Sequence, residues 1–240
     1  MKKESQAKIA SLIDKFEWAI EKGKELDYNM ILSELNAINF IECTSGVGGK
    51  FNIFDYSDPK GGRPQLSGVY YSEGVAVATD AHVLCVVEAA YPEEFEGKIV
   101  KKDRSFVEDG YKFPNYRLVI PKDVEVEFTL DVNELGELNR KFLADKKLRK
   151  NIHFDVKEGQ DVLTKTFKIK TSKTERLFNF DYMKHIVNFL NEYPNSVVAL
   201  SPQGAMTIRQ GNNLLLVMSV ISKDETFIDN LGYIIQAKEK

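Results

Sequence analysis

The stretch RPQLSGVYYSEGVAVATDAHVL, residues 63–84, decides the fold of this chain. It holds two runs of β-branched and aromatic residues, GVYY and VAVAT, with the tripeptide SEG between them. Such runs around a glycine-containing turn are typical of a β-hairpin. The run VLCVVEA that follows at 83–89 predicts another strand, so the stretch begins a meander of short strands.

Asp80 and His82 lie one residue apart at the end of the second run. Side chains two positions apart share a face of an extended strand, so an acid and a base could cooperate there. A hydrolase also needs a nucleophile, and the chain has neither a GxSxG elbow nor a comparable cysteine setting. We therefore expect no catalytic residue and no enzymatic activity, and a hydrolase using Asp80 and His82 stays an alternative to test.

The composition is that of a packed protein, with 43% hydrophobic and 29% charged residues in 240. This length suits one large domain or two of ordinary size. The longest apolar run near the N-terminus, IASLI, is too short for a signal peptide, and no stretch approaches the roughly 18 apolar residues of a membrane span. We expect a cytoplasmic protein without membrane contact.

Sites for metals and cofactors are not predicted. The glycine-rich TSGVGGK at 44–50 lacks the first glycine of a phosphate loop, and Phe51 stands where that loop has Ser or Thr. Neither the histidines nor the cysteines have the spacing of a metal site or a disulfide scaffold. These residues are His82, His153, His185, Cys43 and Cys85. We expect no metal, no cofactor and no disulfide.

The apolar patterns predict helices and strands along the rest of the chain. Helices are predicted at 4–23 and around 30–38, and a short FNIF strand at 51–54, with another extended segment between Pro114 and Pro121. The second half then repeats one order, a strand, a helix and two or three strands. Its first copy is EVEFTL, VNELGELNRKFLADKK, NIHFDV and KTFKIKT; its second is LFNF, DYMKHIVNFLNE, SVVALS, AMTIRQ and NLLLVMSVI.

The helix predicted at 181–192 has a core stripe and a solvent side. Asn179 is the predicted N-cap, and Lys184 and Asn188 are predicted to face away from the core. The core stripe comprises Met183, Ile186, Val187 and Leu190.

Charge is unevenly distributed, although the net charge is only −3. Residues 140–176 contain twelve Lys and Arg against five Asp and Glu, which gives +7 there and −10 elsewhere. A basic face of this kind can bind phosphates, and it can equally be a solvated surface.

Four motifs then resemble the bacterial DNA polymerase III sliding clamp, the β subunit. The stretch at 63–84 resembles the pattern of its middle domain, in which RPVLNGV precedes a strand pair and ATDGHRLA; Ala81 and Val83 replace the family's Gly and Arg. DGYKFPNYRLVIP resembles DGRFPDYRRVLP, and FNFDYMKHIVNFL resembles FNxxYLLDAL. LLLVMSVI resembles YLVMPMRL, with Ser219 at the proline. The matches in the first motif are Arg63, Pro64, Leu66, Gly68, Val69, Ala78, Thr79, Asp80, His82 and Leu84.

The resemblance implies an α+β protein with the DNA clamp fold, in which β-α-β-β-β units repeat and helices lie on one face of antiparallel sheets. The chain corresponds to the last two of the family's three domains. We predict a shortened clamp-like domain at 1–122 that has an extra N-terminal helix and lacks its second long helix. A second clamp-like domain follows at 123–221, with a C-terminal extension at 222–240.

The resemblance also implies two binding surfaces. Partner peptides from a DNA polymerase or other replication and repair proteins would enter an apolar pocket formed by Thr79, His82, Leu84, Pro114, Leu118, Val119, Val217, Met218 and Val220. Duplex DNA would contact Arg140, Lys141, Lys147, Arg149, Lys150 and Lys184 through its phosphates, without sequence specificity. Two-domain subunits could form a ring as a trimer. The alternative is a clamp-fold interaction module that does not encircle DNA.

Overall fold

The computed structural model describes residues 3–24, 31, 51–144, 166–220 and 233–239. Backbone contacts divide the chain into two compact units. The first consists of Met1–Ala81 and Cys85–Pro114, and the second of His82–Leu84 and Asn115–Lys240. This division does not test the domain limits derived from the sequence, which stay predictions.

The first unit begins with helix α1, Lys3–Lys22, as the apolar rhythm predicts. Gly23 ends it with a positive φ of 57°, and its N–H donates to the Ile20 carbonyl at 3.2 Å. Of the apolar side chains on the predicted face, Leu12 is buried, whereas Ile13 and Phe16 are exposed. The helix is therefore amphipathic, but much of its apolar face is open to solvent.

The predicted meander is confirmed as the sheet of the first unit, with the strand order β4-β1-β2-β3. Glu73 and Gly74 connect β1 and β2, and both have positive φ, 53° and 77°. Two-residue hairpins favour this conformation because it matches the twist of the strands. The strands are β1 Val69–Ser72, β2 Val75–Thr79, β3 Val83–Glu88 and β4 Lys98–Val100.

The connection from β3 to β4 contains a 3-10 turn, Glu93–Phe95, and residues 87–109, all of them described, contain no α-helix. A carboxylate instead ties this connection to the hairpin turn. Glu96 accepts hydrogen bonds from the Tyr91 hydroxyl at 2.6 Å, the Ser72 hydroxyl at 3.1 Å and the Glu73 N–H at 3.2 Å. The bond from Tyr91 is the main reason that the pKa of Glu96 is lowered, while burial and this bond raise the pKa of Tyr91 to about 12.

Two short segments differ from their predictions. FNIF is not a strand: Ile53–Tyr56 is a 3-10 helix, because the Asn52 side chain accepts the Phe54 N–H at 3.1 Å and caps it. The segment between Pro114 and Pro121 is likewise not extended throughout, since Tyr116–Leu118 is a 3-10 turn. In the second segment the Leu118 N–H donates to the Asn115 carbonyl at 3.2 Å, so in both places a hydrogen bond between residues close in sequence closes the turn.

The second unit has two helices and two sheets. The helices are α2 Val132–Ala144 and α3 Met183–Glu192. The strands are β5 Val126–Thr129, β6 Thr166–Lys170, β7 Glu175–Asn179, β8 Val197–Leu200, β9 Ala205–Gln210, β10 Asn213–Met218, β11 Ile234–Gln236 and β12 Lys238–Glu239. The sheet orders are β12-β5-β8-β9-β10 and β11-β6-β7. The predicted strand NIHFDV, the helix around 30–38, the TSGVGGK loop, Cys43 and His153 lie outside the described residues.

Helix α3 buries more of its surface than the predicted stripe. Asn188, predicted to face solvent, is 9% exposed, and Phe189, absent from the prediction, is fully buried. Val187, assigned to the core, is only half-buried, whereas Lys184 is exposed as predicted. The buried arc is therefore wider than one stripe, and α3 also contacts α2.

An aromatic cluster joins α2, the β11-β6-β7 sheet and the segment before β11. The rings of Phe142 and Phe180 stack with centroids 4.0 Å apart and planes 4° from parallel. Phe180 also lies 5.2 Å from Phe167 and 5.2 Å from Tyr233. Residues 233–239, which the sequence assigns to an extension, are therefore part of the core and of both sheets.

Candidate functional site

The TDAH turn after β2 is held by the start of the same sequence motif. The Thr79 hydroxyl accepts the Ala81 N–H at 3.0 Å. Arg63 donates to the Asp80 main-chain carbonyl at 2.8 Å and pairs with the Asp58 carboxylate at 2.9 Å. Hydrogen bonds of Arg63, Thr79 and Asp80, all within this motif, thus shape the turn.

Ala81 has φ of 81°, in the left-handed region that side chains with a Cβ disfavour. The resemblance places glycine here in the clamps, and glycine adopts this conformation without steric cost. The substitution by alanine therefore leaves strain in the turn between Asp80 and His82.

The variant Ala81→Gly should relieve this strain. Relief of the strain should raise the free energy of unfolding by about 1 kcal/mol. Part of this gain is lost, because glycine gives the unfolded chain more conformational entropy than alanine does. Urea unfolding followed by far-UV circular dichroism measures the change. A midpoint that falls in the variant would contradict the strain.

Two residues of the predicted pocket meet in the second unit. The Met218 N–H donates to the His82 carbonyl at 2.9 Å. The His82 ring stacks on Tyr182 with centroids 6.4 Å apart, and Tyr182 lies 6.1 Å from the His185 ring. The prediction missed Tyr182 and His185, although the FNxxY resemblance marks Tyr182.

The predicted pocket residues differ in accessibility. Leu118 is 81% exposed, Val119 58% and Met218 39%, so these three present apolar surface to solvent. His82 and Pro114 are also exposed, and Val220 is half-buried against Leu177. Thr79, Leu84 and Val217 are buried. Thr79 and Pro114 belong to the first unit and the other seven to the second. The pocket stays a prediction.

Two cavities lie within single units, and none of the predicted pocket residues lines either of them. One of about 760 Å³ in the first unit is lined by Asp55, Arg63, Lys102 and Tyr111, among others. One of about 720 Å³ in the second unit lies beside Arg117, Val124, Thr207 and Arg209. Leu118, Val119 and Met218 line neither of these two cavities.

The predicted DNA-contacting residues that the structure describes are exposed on two helices in contact. Arg140 and Lys141 lie on α2, Lys184 lies on α3, and α2 packs on α3. Arg140 approaches Glu137 at 3.7 Å, but the two side chains are 76% and 67% exposed. An ion pair this open contributes little, so Arg140 remains accessible to an anion. Lys147, Arg149 and Lys150 lie outside the described residues.

Other cations of the basic segment serve the fold. Lys168 is 2% exposed and pairs with Glu175 at 3.1 Å, and Lys170 pairs with the same carboxylate at 2.7 Å. Arg176 pairs with Glu125 at 3.0 Å. Among the described residues of the basic segment, acidic side chains therefore neutralise these three cations.

No described helix is long and apolar enough to cross a membrane. Within the same described ranges, no group of three or more His, Cys, Asp and Glu side chains could hold a metal ion.

The chain is similar to solved bacterial sliding clamps. The Caulobacter crescentus clamp is 15% identical over 71% of this chain and 61% of its own, with a TM-score of 0.51. The Thermotoga maritima DNA polymerase III β subunit is 12% identical over 73% and 62%, also with a TM-score of 0.51. This chain has the DNA clamp fold. The predicted α+β class and the resemblance that four motifs carry are thus confirmed at the level of the fold.

A third clamp, from Bartonella birtlesii and bound to griselimycin, is 16% identical over 79% of this chain and 65% of its own, with a TM-score of 0.50. The chain spans about three fifths of the length of these clamps. No protein-family model and no curated protein matches it. The clamp fold is therefore recognisable in the backbone and in short motifs, whereas overall identity is low.

Proposed function

We propose that this chain is a cytoplasmic, clamp-fold accessory protein of DNA replication or repair. It has no enzymatic activity, binds duplex DNA without sequence specificity and docks short peptides of partner proteins. The observation that carries the proposal is the pair of contacting helices α2 and α3, which present exposed cations on a unit with the clamp fold.

Phosphate contacts explain how these helices would bind DNA. Arg140 and Lys141 near the end of α2 and Lys184 at the start of α3 project into solvent. Each cation that neutralises a phosphate releases counterions, so binding weakens steeply as salt rises. Such contacts read no bases, which suits a protein that acts at any sequence.

The triple variant Arg140→Gln, Lys141→Gln and Lys184→Gln tests DNA binding. If each residue contacts one phosphate, the slope of log K against log salt should become shallower by about 3. Fluorescence anisotropy with a labelled duplex at several salt concentrations measures this slope. The matched control removes three exposed lysines of the first unit, Lys60, Lys102 and Lys112, and should leave the slope near that of the unmodified chain.

An unchanged slope in the triple variant would contradict the assignment of these residues. Absence of any duplex binding at low salt in the unmodified chain would contradict DNA binding itself and favour the interaction module. Retention on circular DNA that is lost when the DNA is cut would add that the protein encircles it.

Peptide docking is supported by the exposed apolar side chains of Leu118, Val119 and Met218. Aliphatic and Met side chains adapt to apolar anchors, and the nearby His82 ring and main chain supply polar groups that can fix orientation. Because these three residues are exposed, charged substitutions there should leave the core intact.

Griselimycin, which the Bartonella birtlesii clamp binds, is a suitable probe. We expect calorimetric titration to show binding to the unmodified chain and at least tenfold weaker binding to the double variant Leu118→Asp and Met218→Asp. Val124→Asp is the control, because Val124 is 53% exposed in the same unit and outside the predicted pocket. Equal affinity of the double variant and the control would refute the pocket.

A further inference from the structure

Strand β12 covers an edge of the larger sheet in the second unit. It is antiparallel to β5, with Lys238 opposite Thr129 and Glu239 opposite Phe128, and the Thr129 hydroxyl donates to the Lys238 carbonyl at 3.4 Å. The other side of β5 pairs with β8. Without β12, β5 would therefore be an open edge strand.

The segment that brings β12 to this edge is well anchored. Strand β11 runs parallel to β6, the Tyr233 carbonyl accepts the Lys168 N–H at 2.8 Å, and the Ala237 N–H donates to the Lys170 carbonyl at 2.9 Å. Tyr233 and Ile235 are buried. By contrast, β12 has two residues and Lys238 is exposed. The strand that covers the β5 edge is therefore short, whereas the segment before it is anchored in the core.

Strand β5 has the features of a strand that pairs with another chain when it is open. Val126 and Phe128 are buried, whereas Glu127 and Thr129 are exposed. The two buried residues fix which face of β5 packs on the core, and the strand contains neither proline nor lysine, two residues that discourage edge pairing.

We propose that residues 238–239 form an intramolecular cover that withholds the β5 edge from strand pairing with a second copy of this chain. Two β5 strands paired antiparallel around Phe128 would place Glu127 opposite Thr129 of the other copy, so no like charges would face each other. A two-fold arrangement of this kind uses both open edges and closes as a dimer.

The edge strand of the first unit does not offer an alternative partner. Val100 of β4 forms a bridge to Phe106, and the Val107 N–H donates to the Ile99 carbonyl at 2.9 Å. The β4 edge is thus covered by residues 106–107. The proposal does not depend on DNA binding, and its test contains no DNA.

Light scattering compares two double variants. Lys238→Pro with Glu239→Pro removes both main-chain donors and the strand conformation of β12, while β11 keeps its anchors. Lys238→Ala with Glu239→Ala keeps the main chain and is the matched control. We expect the alanine variant to have the same mass as the unmodified chain. The proline variant should approach twice that mass as concentration rises to roughly 100 µM, where small interfaces associate.

Monomeric behaviour of the proline variant over this range would overturn the proposal, as would a dimer of the unmodified chain. Hydrogen exchange distinguishes pairing of two β5 strands from misfolding of the proline variant. Amides of β8–β10 should stay protected in the proline variant, and those of β5 should become protected again as the mass increases. A higher mass with unprotected β8–β10 amides would count against the cover.

Discussion

Replacing Phe180 with alanine should lower the free energy of unfolding of the second unit by roughly 3–5 kcal/mol. The side chain is 3% exposed, and its ring contacts those of Phe142, Phe167 and Tyr233. Its removal costs the transfer free energy of a phenyl ring and leaves a cavity among aromatic groups that cannot close it completely. Urea unfolding monitored by tyrosine fluorescence measures the loss.

The matched control is Phe106→Ala, because Phe106 is 41% exposed in the first unit. Its cost should stay at about 1 kcal/mol, the typical effect of a point substitution. Since Tyr233 packs against Phe180, hydrogen exchange of the Ile235 amide should also become faster in Phe180→Ala. A loss below about 1 kcal/mol, or an unchanged Ile235 amide, would mean that the aromatic cluster does not couple β11 to the core.

Replacing Glu175 with glutamine should destabilise the same unit by roughly 3 kcal/mol at neutral pH, because the buried Lys168 ammonium loses its carboxylate. The distances from Glu175 to Lys170 and Lys168, 2.7 and 3.1 Å, place one carboxylate between two cations. The double variant Lys168→Met and Glu175→Gln is the control. It should be less destabilised than Glu175→Gln alone, since no charge is left buried.

The same carboxylate gives this contribution a pH dependence. Lys170 and then Lys168 lower the pKa of Glu175 below its ordinary value. The ion pairs therefore stabilise the folded unit fully above the unfolded pKa of roughly 4.3, and this stabilisation is lost as the pH falls through the lower folded pKa. Unfolding measured between neutral and acidic pH should show a smaller acid-induced loss in Glu175→Gln than in the unmodified chain. Identical pH profiles would contradict the role of Glu175.

Much of the fold could be predicted because its signals are local. Alternating β-branched residues around Glu73 and Gly74 predict the first meander, and the apolar rhythm predicts α1, α2 and α3. The match of four short motifs to the clamps then supplied the architecture. Strands β11 and β12 could not be predicted, since they are short and take their stability from strands distant in sequence.

The candidate site shows the same limit. The exposure of Leu118, Val119 and Met218 depends on the conformation of the 3-10 turn and of the end of β10. The local sequence pattern does not determine this conformation. Lys168 lies on β6, which is flanked by β7 and β11, and α3 contacts α2; these contacts join elements that are distant in sequence. The charge count of residues 140–176 does not show that Lys168 is buried or that it pairs with Glu175.

The discontinuous second unit has a consequence for synthesis on the ribosome. The first unit has all its residues once position 114 has been made, so it can fold early. The second unit draws on His82–Leu84 and also on the strands at 233–239, and therefore cannot be completed until the last of these has emerged. During that interval β5 and β6 each have an open side, and nascent chains on neighbouring ribosomes are most exposed to mispairing then.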